Sequence, residues 1–412
     1  MIKRLIWRIK YILFIIIGSV FLFSCEKETD SLNAVYLQDY RLLNAYSPDQ
    51  VKGSLQFAAL LYPEFDTLIA SSEYGVSIYK VVYKTNLLGE ELNASGLVVF
   101  PQGDGSFPLV SFQNGTNTCH YYAPSENPDD QFYTLLSMLA GSGYIIAIPD
   151  YIGFGESDYI LHPYMHRESS NDAIIDLLKA TQELIQQEIT ESKLNGDLYL
   201  MGYSQGGWAA MSVLNELETY PIFGIDPKAA ICGAGAYNLT DMASYIFKQE
   251  EYPNPFFLPY FVESRSQLGM ISDNLELYFQ EPYASKVTNL FNGDKCNREM
   301  NAEFTTTVNE LLTSKLVEEF EDGDDFIPLR EQLQQNSIPT WNPNAKIRLY
   351  HSMGDKSIPY GQSVNLFNKL IQSGMLEEKI QLEIVQNDTL DHGDAILPWG
   401  IDAINYLQSL QP

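Results

Sequence analysis

The stretch Leu198-Tyr199-Leu200-Met201-Gly202-Tyr203-Ser204-Gln205-Gly206-Gly207 decides how this chain is read. Its first four residues form a short buried strand, and a helix follows over about 205–217. Between them lies Gly-x-Ser-x-Gly, which in a strand-to-helix setting has a mechanical meaning. The turn must be tight enough to push the Ser204 hydroxyl above the sheet, and Gly202 and Gly206 leave room where side chains would collide. The helix that follows directs its N-terminus at the same point, so the Gln205 backbone N–H is placed to stabilise an oxyanion. The competing reading is a glycine-rich turn with an incidental serine, and the strand-helix context weighs against it.

A serine hydroxyl is a poor nucleophile at neutral pH and needs a base. The chain has five histidines: His120, His162, His166, His351 and His392. In a sheet of this type the base comes from a loop after the last strand, in the order serine, acid, histidine. His392 fits, lying in Leu390-Asp391-His392-Gly393-Asp394 between a strand at 380–386 and a helix at 394–410. His351 falls inside a predicted strand and reads as structural. His120, His162 and His166 precede Ser204 and read as substrate contacts or surface. The orienting acid is Asp355, at the end of Tyr350-His351-Ser352-Met353-Gly354-Asp355. Asp391 and Asp394 are rivals, but their adjacency to His392 makes pairing across the loop awkward. The second oxyanion donor belongs in Gln113-Asn114-Gly115-Thr116, with the Thr116 N–H as candidate and the Asn114 amide as its rival.

Around these residues strands and helices alternate. Val76–Tyr83 and Leu97–Phe100 read as a hairpin, and Pro108–Phe112, Tyr144–Ile148, Ala229–Tyr237, 346–352 and 380–386 as further strands. Helices fit 168–189 and 360–373. Ser47-Pro48-Asp49-Gln50 opens another with a capping box. This is an α/β fold with a mostly parallel central sheet flanked by helices. Residues 238–340 break the rhythm with acidic helical patches and aromatic clusters, so they read as a cap inserted between sheet strands six and seven. The core then comprises 47–237 and 341–412.

The elbow, the Gly354-Asp355-Lys356-Ser357-Ile358-Pro359 turn and the late Asp391-His392-Gly393 together resemble the α/β-hydrolase superfamily. Pro149-Asp150-Tyr151-Ile152-Gly153-Phe154-Gly155-Glu156-Ser157, then His162-Pro163-Tyr164, is similar to the secretory-lipase branch and its bacterial relatives. The resemblance spans roughly 74–410. It implies a serine ester hydrolase acting through Ser204, Asp355 and His392, without metal or organic cofactor, on a small-molecule or lipid ester. Many such hydrolases have His-Gly in the oxyanion loop, where this chain has Asn114-Gly115. The 150–157 stretch reads as a structural turn beside the site. A serine peptidase of the same fold is the alternative, and a non-enzymatic surface lipoprotein that binds glycan or lipid is a third reading.

The N-terminus carries an address. Residues 1–10 hold Lys3, Arg4, Arg8 and Lys10, an apolar run follows to Phe23, and Leu22-Phe23-Ser24-Cys25 closes it. A basic head, a short apolar stretch and a small residue at the cut make a secretory signal. The ending resembles a bacterial lipobox, which implies removal of 1–24, lipidation of Cys25 and membrane attachment through acyl chains. The acidic start after Cys25 resembles the tether of Bacteroidota lipoproteins, with 25–46 as tether. Glu26, rather than Asp, at the second mature position implies the outer membrane.

Composition agrees with a globular exported protein. The 412 residues are 45% hydrophobic and 19% charged, which excludes disordered and coiled-coil classes. A net charge of −28 repels phosphate backbones and excludes nucleic acid as a partner. Oligomeric state is not legible. Beyond Cys25, Cys232 reads as a buried thiol and Cys119–Cys296 as one possible pair. No spacing of Cys and His suggests zinc.

Overall fold

The computed structural model describes residues 34–60 and 62–410. The expected signal peptide and the expected lipidation site, Cys25, lie outside them. Among the described residues nine strands form one sheet: β1 (Leu37–Tyr46), β2 (Gly75–Leu87), β3 (Glu90–Gln102), β4 (Gly105–Gln113), β5 (Ile145–Pro149), β6 (Ser192–Tyr203), β7 (Asp226–Gly233), β8 (Lys346–Ser352) and β9 (Ile380–Val385). Their spatial order is β1-β2-β3-β5-β4-β6-β7-β8-β9. The first three strands form an antiparallel meander, and β3 meets β5 antiparallel. From β5 through β4, β6, β7 and β8 to β9 every pairing is parallel.

The parallel part is buried on both faces, so its strands read as apolar runs. All five residues of β5 are buried, as are the last six of β6. Helices Arg167–Gln186 and Gln205–Thr219 cover one region of the sheet, with Ile174, Leu177, Leu178, Trp208, Met211 and Val213 inaccessible to solvent. The terminal helix Ile396–Ser409 packs Trp399, Ala403 and Leu407 into the core beside Phe112 and Tyr203.

Several sequence expectations shift. Leu37–Tyr46, expected to lie within the tether at 25–46, instead pairs along β2 as an edge strand. Its start is fastened from far away in the chain. The Glu183 carboxylate accepts the backbone N–H groups of Val35, Tyr36 and Leu37 at 2.9, 2.9 and 2.7 Å. With β1 added, the insertion falls between strands seven and eight rather than six and seven. The strand expected to run to Tyr237 stops at Gly233, because Ala234 takes a positive φ of 42° and turns the chain. Helix Arg167–Gln186 ends short of 189, where Glu188 has φ 55°. The capping box at Ser47 and Gln50 is present.

Between β7 and β8 the described residues carry seven helices of four residues or more and two 3-10 turns, but no strand. Residues 35–412 form one compact unit with no break at 238 or 340. Cys119 and Cys296 are disulfide-bonded and Cys232 is a buried free thiol. Among the described residues no helix is long and apolar enough to cross a membrane.

The three-fold grip of Glu183 on residues 35–37 makes β1 removable by one change. Glu183→Ala is expected to cost about 1–2 kcal/mol of stability. Hydrogen exchange across residues 35–46 should quicken more than across β6, and equal protection in both proteins would refute this role.

Candidate active site

Four loops leave the carboxyl ends of parallel strands and converge: 114–119 after β4, 204 after β6, 353–359 after β8 and 386–395 after β9. Open α/β sheets bind ligands at this edge. Ser204 sits at the turn between β6 and helix Gln205–Thr219 with φ 61° and ψ −123°, a left-handed-side conformation that L-residues adopt only under constraint. The constraint is visible. The Ser204 N–H donates to the Gly233 carbonyl at 2.8 Å. A Cβ at position 206 would stand 2.0 Å from the Gln113 carbonyl oxygen, and one at 202 would stand 2.2 Å from that of Gly206. Only glycine fits either place.

The three expected side chains meet. The Ser204 hydroxyl lies 2.9 Å from His392 Nε2, and His392 Nδ1 lies 2.6 Å from Asp355 Oδ2. Asp355 accepts from Nδ1–H, which leaves Nε2 free to accept the serine proton. The other carboxylate oxygen, Oδ1, accepts the N–H groups of Ser357 and Ile358 at 2.9 and 2.8 Å. Burial pushes the Asp355 carboxyl up, but the His351 and His392 imidazoles beside it more than offset this and hold it at about 2. Asp355 therefore stays ionised beside the His392 imidazole. The rivals Asp391 and Asp394 are exposed, and Asp391 Oδ1 accepts the Asp394 N–H instead.

His351 lies in β8, as expected, and its ring stands beside Asp355, with Nε2 3.3 Å from Oδ2. It is buried, with Nδ1 2.8 Å from Ser363 Oγ and Nε2 2.8 Å from the Ile358 carbonyl. His162 and His166 are not on the surface. His166 caps helix Arg167–Gln186, accepting the Ser169 N–H at 3.3 Å. His162 is buried beside Gln205. The sequence did not reveal how the His392 loop is held. The Tyr203 hydroxyl donates to the His392 carbonyl at 2.8 Å, and Ser352 Oγ donates to the Leu390 carbonyl at 2.6 Å. The residue before Ser204 thus fastens the loop that carries His392.

The 114–119 loop is tied on both sides. The Asn114 side chain donates to the Pro149 carbonyl at 2.8 Å, anchoring the loop to the core. Asn297 donates to the Thr116 carbonyl at 2.6 Å, and Thr118 Oγ1 donates to the Lys295 carbonyl at 2.8 Å. The Cys119–Cys296 bond fastens the same junction covalently. The loop bearing Thr116 is therefore built jointly by the core and the inserted segment.

Two cavities open on Ser204. One is a broad cleft of about 790 Å³, lined by aromatic residues such as Phe132 and Trp399 and by polar ones including Asn254, Asn297 and Asp391. The other is a narrow chamber of about 60 Å³ lined by Ala236, Leu239, Met242, Ala243, Ile246 and Phe261, among others. Among the described residues no group of three or more His, Cys, Asp and Glu side chains is arranged to hold a metal ion.

Because the Asp355 carboxyl sits at about 2 rather than 3.8, its ionised form stabilises the fold by about 2 kcal/mol. That contribution is complete above the unfolded value and is lost as pH falls through the folded one. Asp355→Asn should therefore be less stable than wild type at neutral pH. Denaturant titrations should show the gap closing between about pH 4 and pH 2. A gap independent of pH across that window would contradict the assignment.

Residues 130–261, under a third of the chain, match the model of the prolyl oligopeptidase family. No curated protein matches the sequence. Solved structures do. A candidate hydrolase from Legionella pneumophila shares 24% identity at a TM-score of 0.79, covering 91% of this chain and 98% of its own. The rice cell wall degrading esterase LipA from Xanthomonas oryzae, in a ligand-bound form, shares 23% at 0.79, covering 91% and 97%. Candida antarctica lipase A in its closed state is more distant, with 14% at 0.63, covering 91% and 83%. What these similarities establish is architecture: the chain has the α/β-hydrolase fold.

Proposed function

We propose that the protein is a serine-dependent carboxylic ester hydrolase of the lipase/esterase type. The observation that carries this reading is the continuous relay from Ser204 Oγ through His392 to Asp355, at 2.9 and 2.6 Å, on a strained strand-to-helix turn. Ser204 attacks the ester carbonyl carbon while its proton passes to His392 Nε2. Asp355 holds the imidazole in the Nδ1–H tautomer and stabilises its cation. The Gln205 and Thr116 amides bind the oxyanion. The tetrahedral intermediate collapses, the C–O bond to the alcohol breaks, and the alcohol leaves with the proton from Nε2. Water, deprotonated by His392, then cleaves the acyl-enzyme and releases the acid.

The two cavities suggest the division of the substrate. The narrow apolar chamber takes a short acyl group, and the broad, partly polar cleft takes the alcohol. On this reading, kcat/KM for an aryl butyrate exceeds that for the palmitate by about tenfold or more, as loss of burial for several methylenes would give. Ser204→Ala abolishes both ester turnover and labelling by a fluorophosphonate. Equal labelling of wild type and Ser204→Ala would refute the nucleophile.

The alternative, a serine peptidase, draws on the partial match to the prolyl oligopeptidase family at 130–261. That stretch contains the elbow but neither Asp355 nor His392, and esters and amides share the tetrahedral route. Paired kinetics on aryl esters and aminoacyl arylamides separate the two, and a preference for the amide would favour the peptidase.

The proposal extends to location: an exported bacterial lipoprotein held at the outer membrane by acyl chains on Cys25, reaching the cell surface in some members of its class. The support is the Leu22-Phe23-Ser24-Cys25 ending. Globomycin should cause the uncleaved precursor to accumulate, and unchanged size and partitioning would refute the anchor.

A further inference from the structure

Gln205 follows the nucleophile, and its side chain does not point freely into the cleft. Its Nε2 lies 2.9 Å from His162 Nε2. The other ring nitrogen of His162, Nδ1, lies 2.7 Å from the Ile152 carbonyl oxygen. A carbonyl can only accept, so Nδ1 carries the proton. In the neutral ring Nε2 is then an acceptor, and the Gln205 amide must donate to it. Burial drives the imidazole down to about 4, against the opposing pull of the Ile152 carbonyl and with a further push from Arg265. The ring is therefore neutral at pH 7, and the tautomer and the orientation of the glutamine amide are fixed together.

The surroundings of His162 are built to deliver it. The ring is buried, stacked on Tyr151 with centroids 5.6 Å apart and flanked by Phe154, Tyr164 and Tyr260. Gly153 has φ 95°, and a Cβ there would stand 2.4 Å from the His162 backbone, so the 150–157 turn closes on it only as glycine. The base of that turn is held by Asp150, which accepts from the Ser125 N–H at 2.8 Å and the Ser125 hydroxyl at 2.6 Å. A closely packed loop thus ends in one ring nitrogen aimed at the residue after the nucleophile. The same stretch also meets the 114–119 loop, where the Tyr151 hydroxyl donates to the Asn114 carbonyl at 3.2 Å, but its tie to the helix that carries Gln205 runs through His162.

We propose that His162 is a positioning residue: its neutral Nε2 holds the Gln205 side chain and thereby fixes the Gln205 backbone N–H in the oxyanion-binding direction. This rests on the ester-hydrolase reading above. Gln205 is the first residue of its helix, so its N–H has no partner within the helix, and its orientation depends on what restrains the residue. The side-chain bond supplies that restraint. The loss falls on the transition state, where charge develops on the carbonyl oxygen, and His162 itself lines neither of the two cavities that open on Ser204.

The test compares His162→Gln with His162→Asn in the purified full chain, using an aryl butyrate. Glutamine can place an acceptor near the Nε2 position, whereas asparagine reaches only the Nδ1 position. His162→Asn should lower kcat about ten- to a hundredfold with KM within about twofold, because a misaimed donor costs less than the roughly 10²–10³ of a deleted one. His162→Gln should recover kcat to within about threefold of wild type. Gln205→Met removes the same bond from the other end, with His162 and its packing intact, and should match His162→Asn. The double variant should be no slower than the slower single one. Thermal melts identify any variant that has lost its fold, and Gln205→Met then decides alone. Unchanged kcat in His162→Asn or Gln205→Met, equal losses in the Asn and Gln variants, or losses that multiply in the double variant would overturn the proposal. A wild-type protein that neither turns over ester nor takes up fluorophosphonate would instead bring down the hydrolase reading, and this inference with it.

Discussion

The reversal of the chain at Ser204 is the constraint on which the rest of the structure depends. A serine with φ 61° in a left-handed region costs about 1–3 kcal/mol, so surrounding contacts must enforce it. They do so by proximity. β6 lies between β4 and β7, and its neighbours press in from both sides. Gly206 touches the Gln113 carbonyl from β4, and the Ser204 N–H is held by Gly233 of β7. Enlarging Gly202 would force β6 and its helix apart, and enlarging Gly206 would force that helix away from β4. The hydroxyl is aimed, in the end, by the absence of two methyl groups.

Once that point is set, the partners need only arrive at the same edge. Parallel strands with right-handed crossovers deliver all their carboxyl-end loops to one side, so residues 150 positions apart become neighbours without any loop spanning the molecule. The cross-ties then remove the remaining freedom. Tyr203 holds the His392 backbone, Ser352 holds Leu390, and the Ser357 and Ile358 amides hold the Asp355 carboxylate. The first two ties each join the end of one strand to the loop of another, and the third folds the Asp355 loop onto itself. The relay is thereby held by contacts within the protein itself, which is the condition for electrostatic stabilisation without reorganisation.

What was legible in the sequence follows from this geometry. The elbow could be read because its requirements are local: an apolar strand, two glycines and a helix in ten residues. His392 and Asp355 could be read because order along the chain maps onto order across a parallel sheet. β1 could not. Leu37–Tyr46 is an edge strand with few buried residues and charged positions at Asp39 and Arg41, so it lacks the apolar signal of its neighbours. Its anchor, Glu183, lies on a helix nearly 150 residues later. The placing of His162 was equally hidden, since nothing local in His162-Pro163-Tyr164 tells that the ring turns inward to Gln205. The helices between β7 and β8 are short, and their boundaries are set by contacts with the loops of the core rather than by long amphipathic periods.

The disulfide has a reach beyond the stability it lends. It joins Cys119, beside the Thr116 loop, to Cys296, 177 positions away in the inserted segment. Thiols remain reduced where glutathione and thioredoxin govern and are oxidised where they do not. The firmness of one wall of the cleft is thus written in the redox state of the medium in which the polypeptide matures. A chain finished among reducing agents would have the same sheet and the same serine, yet a doorway hung on hydrogen bonds alone.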